Sequence, residues 1–134
     1  MFTQQYREYI VFKHATFWVL SLLSFSVYSA NINNISQQEL LAADTNNLVI
    51  IDVRTPAEFQ QGHVPNAINV PLSEIIDNPD ILTSSKGKPI VLYCRSGYRA
   101  GKAAEALHKN GHQNLRHLDG DMQGWLKAGL SVEK

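Results

Sequence analysis

The stretch Cys94-Arg95-Ser96-Gly97-Tyr98-Arg99 gathers a nucleophile, two guanidinium groups, a hydroxyl and a flexible backbone position within six residues of a 134-residue chain. It follows the apolar run Pro89-Ile90-Val91-Leu92-Tyr93 and precedes a helix-forming stretch, Ala100 to Lys109. In an open α/β sheet, ligands bind beyond the carboxyl ends of the strands, and Cys94 stands at such an end. Backbone N–H groups in a tight loop curl inward into an anion nest, and the helix N-terminus behind them adds partial positive charge. Arg95 and Arg99 bring planar forks suited to oxyanions. Gly97 permits a left-handed turn, and Ser96 offers a hydroxyl. These features favour the Cys94 thiolate, a nucleophile at the bottom of an anion-binding cup. The plain alternative is a buried Cys closing a hydrophobic strand. The coincidence of two arginines, a glycine and a helix start weighs against it.

The elements that must position this loop read as alternating helix and strand. Ser36-Gln37-Gln38-Glu39 is a capping box, with Ile35 and Leu40 placed to staple over the turn, and opens a helix to about Ala43. Leu48 to Val53 is a continuous apolar run apart from Asp52, the mark of a strand buried on both faces. Thr55-Pro56-Ala57-Glu58 is a second capping box with proline at the first helical position. Gly62 to Asn66 reads as a loop, Ala67 to Val70 as a short strand stopped by Pro71, and Leu72 to Asp77 as a helical turn or two. Ser84 to Lys88 is a polar loop before the strand Pro89–Tyr93. The helix from Ala100 carries Ala103, Ala104 and Leu107 on one side and Gly111 beyond its end. Leu115 to Leu118 is a further strand, and Asp121 to Ala128 a last short helix ended by Gly129. This alternation predicts a single α/β domain, a parallel sheet with helices on both faces.

Composition bounds the rest. Twelve basic and twelve acidic residues cancel, so the chain lacks the basic footprint of a nucleic-acid-binding domain. One cysteine excludes an intramolecular disulfide, a multi-cysteine zinc site and a Cys-x-x-Cys redox pair. A basic start with Arg7 and Lys13 leads into the uncharged run Ala15 to Tyr28, with small residues at Ser29-Ala30. As a helix that run spans about 21 Å at 1.5 Å per residue. A bilayer core is about 30 Å thick. The pattern predicts a cleaved signal peptide over 1–30 and a domain over 31–134, hence a periplasmic protein without stable membrane insertion after cleavage. An uncleaved membrane anchor is the alternative, and a buried first helix of the domain a third.

Four stretches, in order, resemble the rhodanese (thiosulfate sulfurtransferase-like) family. They are Ile50-Ile51-Asp52-Val53-Arg54-Thr55-Pro56-Ala57-Glu58-Phe59, then Gly62 to Pro71, then Val91 to Ala100, then Leu118-Asp119-Gly120-Asp121-Met122-Gln123-Gly124-Trp125. The resemblance covers most of residues 34–130. An exported single-domain chain is most similar to the periplasmic phage-shock protein E type within that family. The resemblance implies a rhodanese-like domain and a two-step sulfur transfer through a Cys94 persulfide. The donor would be thiosulfate or a similar small molecule, and the acceptor cyanide, a thiol or an unidentified protein. It implies no metal and no organic cofactor. Arg95 and Arg99 would hold the donor's sulfonate, and the loop's backbone N–H groups would cradle the sulfur.

The sequence departs from the family pattern twice. Asn66 stands where a glycine is usual, and Asn tolerates the left-handed backbone. Asp121 replaces the second of two paired glycines; at the mouth of the cup its charge would weaken anion binding. Four residues separate Cys94 from Arg99. The related phosphatases and arsenate reductases resemble Cys-x5-Arg, a wider cup, so that reading ranks below a sulfurtransferase and below a sulfur-carrier module serving a protein partner. Asp52, Arg54 and His63 read as supports of the loops. Tyr98 either shapes the entrance or is simply exposed. His108, His112 and His117 lack metal spacing and are expected to face solvent or cap helix ends, and Trp125 to lie in the core.

Overall fold

The computed structural model describes residues 32–134; the expected signal segment lies outside them. The chain runs β1 (Asn33–Ile35), α1 (Gln37–Ala42), β2 (Val49–Asp52), α2 (Pro56–Gln61), β3 (Ile68–Asn69), α3 (Leu72–Asp77), a 3-10 segment (Pro79–Ser85), β4 (Ile90–Tyr93), α4 (Tyr98–Lys109), β5 (Leu115–Leu118) and α5 (Asp121–Lys127). The five strands form one sheet in the order β1-β5-β4-β2-β3, and every neighbouring pair is parallel.

Alternation along the central strands divides the core in two. Ile51, Ile90 and Leu92 pack with Ile75 of α3 and with Ala100, Ala103, Ala104 and Leu107 of α4. Ile50, Val91 and Tyr93 turn to the other face and pack with Leu40 of α1 and with Met122 and Trp125 of α5. All four residues of β4 are buried. This is why its sequence is apolar throughout rather than alternating.

Both capping boxes form. Ser36 Oγ accepts the Glu39 N–H at 3.1 Å, and Thr55 Oγ1 accepts that of Glu58 at 3.3 Å, with each Glu reaching back to its cap's N–H. Ile35 and Leu40 lie buried in one cluster, as a staple requires. Asn66 takes φ +64°, the left-handed conformation that Asn tolerates. Two elements are additional to the sequence reading. β1 is a three-residue strand with two exposed asparagines, at the edge of the described sheet and paired there to β5. The segment Pro79–Ser85 coils into 3-10 turns that bury Leu82.

α4 also starts two residues earlier than expected. Gly97, at φ +110°, is its N-cap, so the turn between strand and helix is short and Arg99 sits in the first helical turn. At the carboxyl edge of the sheet, the loop after β4 and the turn after β5 lie side by side. The first N–H groups of α5 have no partner within their own helix. Met122 N–H donates to the Cys94 carbonyl at 3.0 Å, and Gln123 N–H to the Arg95 carbonyl at 3.1 Å.

Candidate active site

Cys94 is the first residue after β4 and is 1% exposed. Its Sγ accepts the Gly97 backbone N–H at 3.0 Å. The left-handed Gly97 is what turns that N–H back toward the sulfur. Arg95, Ser96 and Tyr98 are exposed around it, Tyr98 at 75%. Arg95 pairs with no carboxylate among the described residues.

Arg99 is differently placed. Its Nη1 and Nη2 donate to Glu58 Oε2 and Oε1 at 2.7 and 2.9 Å. Glu58 is also the return arm of the Thr55 capping box, so the cap of α2 is tied to the first turn of α4. The Arg99 hydrogen bond, ahead of the Thr55 contacts, lowers the Glu58 carboxyl from 4.5 to about 2 against the opposing effect of burial. Two charges expected only to cap or to bind thus hold each other in a forked pair.

Asp52 and Arg54 lie beneath. Asp52 is wholly buried at the end of β2 and accepts Arg54 Nε at 3.0 Å, Nη2 at 2.7 Å and backbone N–H at 2.9 Å. Arg54 Nη2 also donates to the Gly62 carbonyl at 2.8 Å. His63 stacks on Phe59 with centroids 3.6 Å apart, and its Nδ1 donates to the Phe59 carbonyl at 3.0 Å. All three residues brace the loops that follow β2 and α2. Tyr93 completes the brace, its buried hydroxyl accepting the Val64 N–H at 3.1 Å; burial raises its pKa.

Three expectations need correction. Asp121 is not at the mouth of the cup. It is 3% exposed, at φ +53°, and its Oδ1 accepts the Cys94 backbone N–H at 2.9 Å. His117 neither faces solvent freely nor caps a helix: its Nε2 donates to Asp121 Oδ1 and Oδ2, each at 3.0 Å. The carboxylate, first through its hydrogen bond and then through its charge, raises the His117 pKa against burial. His112 does cap the end of α4, its backbone N–H donating to the Leu107 carbonyl at 3.0 Å, but it does not face solvent: it is 1% exposed, with both ring nitrogens lacking a partner among the described residues. Burial and then the Lys86 charge push its pKa down. The sequence signal for Asp121 was its departure from a glycine position; His117 gave none.

Residues 36–128 match the family model of the rhodanese-like domain. The chain is a member of the rhodanese-like domain family. It is 35% identical over 104 residues to a sulfurtransferase of Allochromatium vinosum, covering 75% of this chain and 94% of that protein. It is 36% identical over 70 residues to the thiosulfate sulfurtransferase PspE of Escherichia coli, covering 52% of this chain and 67% of PspE. A match at 39% over 87 residues to the uncharacterized protein slr1261 of Synechocystis spans 65% of this chain and about half, 48%, of that longer protein. Among solved structures, a rhodanese-related protein from Thermoplasma volcanium superposes with a TM-score of 0.66 at 30% identity, covering 75% of this chain and 97% of that one. The rhodanese-like domain therefore spans most of the described residues, and its family includes sulfurtransferases. Within it, Cys94, Gly97, Asp121 and His117 form one connected group at the carboxyl edge of the sheet.

Proposed function

We propose that the protein is a sulfurtransferase that moves sulfane sulfur from thiosulfate, or a similar anionic donor, through a Cys94 persulfide to cyanide or a thiol. The observation that carries this reading is the Gly97 N–H aimed at Cys94 Sγ from the start of α4. A backbone donor and a helix N-terminus there stabilise negative charge on sulfur, whether thiolate or persulfide. The relatives named as sulfurtransferases support the same chemistry.

In the first step the Cys94 thiolate attacks the outer sulfur of thiosulfate. A Cys94 S–S bond forms, the donor's S–S bond breaks, and sulfite leaves with the electron pair. In the second step cyanide or a thiolate attacks the terminal sulfur. The Cys94 S–S bond breaks, thiocyanate or a new persulfide departs, and the Cys94 thiolate returns. Arg95, exposed and without a carboxylate partner among the described residues, draws in the anionic donor. Arg99 adds its remaining N–H groups to the wall of the cup, its charge reduced by Glu58. Ser96 and Tyr98 border the entrance.

That neutralisation also supports a second reading, a sulfur carrier that loads readily but turns over free thiosulfate slowly. Initial rates with thiosulfate and cyanide test the proposal. Parallel double-reciprocal lines, lost in Cys94→Ser, are expected; intersecting lines would exclude a persulfide relay. Residues 1–30 are proposed as an export signal, so the reaction would take place in the periplasm; a fractionation showing the chain in the cytoplasm would refute this.

A further inference from the structure

Asp121 sits where it touches both ends of the sulfur-binding loop. Its Oδ1 holds the backbone of Cys94, and a Cβ added to Gly97 would lie 3.2 Å from its Oδ2 and 3.3 Å from His117 Cε1. His117 points to the α4 side of the sheet, in register with Leu92 of β4 and Asn34 of β1, neither of which is charged. Among the described residues, Asp119 is the other charge that acts on His117, from the β5–α5 turn, and Cys94 meets Asp121 through its backbone N–H. His117 is therefore the titratable base in direct contact with a buried carboxylate that itself holds the backbone of Cys94.

We propose that Asp121 and His117 are a proton-linked pair of positioning residues: protonated His117 neutralises Asp121, and loss of its proton leaves an uncompensated negative charge beneath the anion cup. This deepens the sulfurtransferase reading by assigning a pH control to the same site. With His117 protonated the pair is neutral overall, and an anionic donor meets only the loop's donors and arginines. With His117 neutral, the pair carries one negative charge, which opposes both the donor and the anionic sulfur of Cys94. The linkage is reciprocal, so a bound anion makes His117 harder to deprotonate.

The test is the thiosulfate KM against pH for the wild type, His117→Gln and Asp121→Asn. The wild-type KM should rise about fivefold as His117 loses its proton, the size expected of one partly screened charge. His117→Gln keeps a donor to Asp121 without the charge, so its KM should stay high at every pH. Asp121→Asn keeps the acceptor for the Cys94 N–H, so its KM should stay low at every pH. A purely structural role would not split the two variants in opposite directions, and identical profiles in all three proteins would overturn the proposal. Titration of His117 by NMR in Cys94→Ser, with and without thiosulfate, gives a readout that needs no turnover and no variant of the pair. An upward shift on thiosulfate addition is expected, and a bound anion with no shift contradicts the linkage. Should no persulfide form with thiosulfate, the sulfurtransferase reading fails while a thiosulfate-dependent His117 shift still upholds the pair. No KM and no shift together reject both.

Discussion

Glu58 grips both terminal nitrogens of Arg99, at 2.7 and 2.9 Å; under the proposed function this pairing sets how much positive charge meets the donor. Removing the arginine and removing its partner should act in opposite directions. Arg99→Ala is expected to raise the thiosulfate KM roughly tenfold, the loss of about one charge-assisted contact. Glu58→Gln frees the guanidinium charge and should lower the KM about threefold, since a part-exposed ion pair is worth under about 1 kcal/mol. Steady-state kinetics decide this, and equal KM values in all three proteins would show that Arg99 does not meet the donor.

The same pair predicts an acid-side stability difference. The Glu58 carboxyl is lowered from 4.5 to about 2, so its contribution is complete above pH 4.5 and is lost as the pH falls through about 2. The difference in unfolding temperature between wild type and Glu58→Gln should be constant above that window and shrink within it.

Gly97→Ala should damage the cup directly. The backbone there is at φ +110°, and the new Cβ would press on the Asp121 carboxylate at 3.2 Å. The cost should be about 1–2 kcal/mol in unfolding free energy. Persulfide formation should slow as the N–H swings away from Cys94 Sγ. Unchanged single-turnover rates would show that this hydrogen bond is not used.

Arg54→Ala should be among the most destabilising single changes. It strands the wholly buried Asp52 carboxylate without a counter-charge, at a cost of about 3–5 kcal/mol. Denaturant unfolding at neutral pH measures it directly. A loss below about 1 kcal/mol would mean that the carboxylate finds water or another donor.

The two histidines pull stability in opposite directions with pH. The raised His117 stabilises fully below its ordinary value of 6.5 and loses that contribution as the pH rises through its folded value. The lowered His112 stabilises above 6.5 and loses its contribution as the pH falls toward its folded value. His112→Leu should therefore remove the decline on the acid side and leave stability falling with rising pH. Thermal unfolding of the variant from about pH 5 to about pH 8.5 checks the sign.

What the sequence made legible was local. Capping boxes at Ser36 and Thr55 involve partners three residues apart, and the apolar runs ending at Asp52 and Tyr93 need both faces covered wherever they lie. The left-handed Asn66 was visible for the same reason. What escaped was set by distance along the chain. β1 is held by pairing to β5 and by Asn34 donating to Asp119 at 2.7 Å, contacts between residues more than eighty positions apart. Arg99 and Glu58 are 41 positions apart, so the fork that occupies the arginine has no sequence signature. Asp121 showed as a charge in a glycine's place, but its direction depends on the left-handed backbone that tucks it under Cys94.

The intact mass of the reduced protein before and after thiosulfate, and again after cyanide, tests the central claim most directly. The account predicts a gain of one sulfur atom, lost on cyanide with release of thiocyanate, and no gain in Cys94→Ser. An unchanged mass in the fully reduced wild type, or a sulfur gained equally by Cys94→Ser, would contradict it.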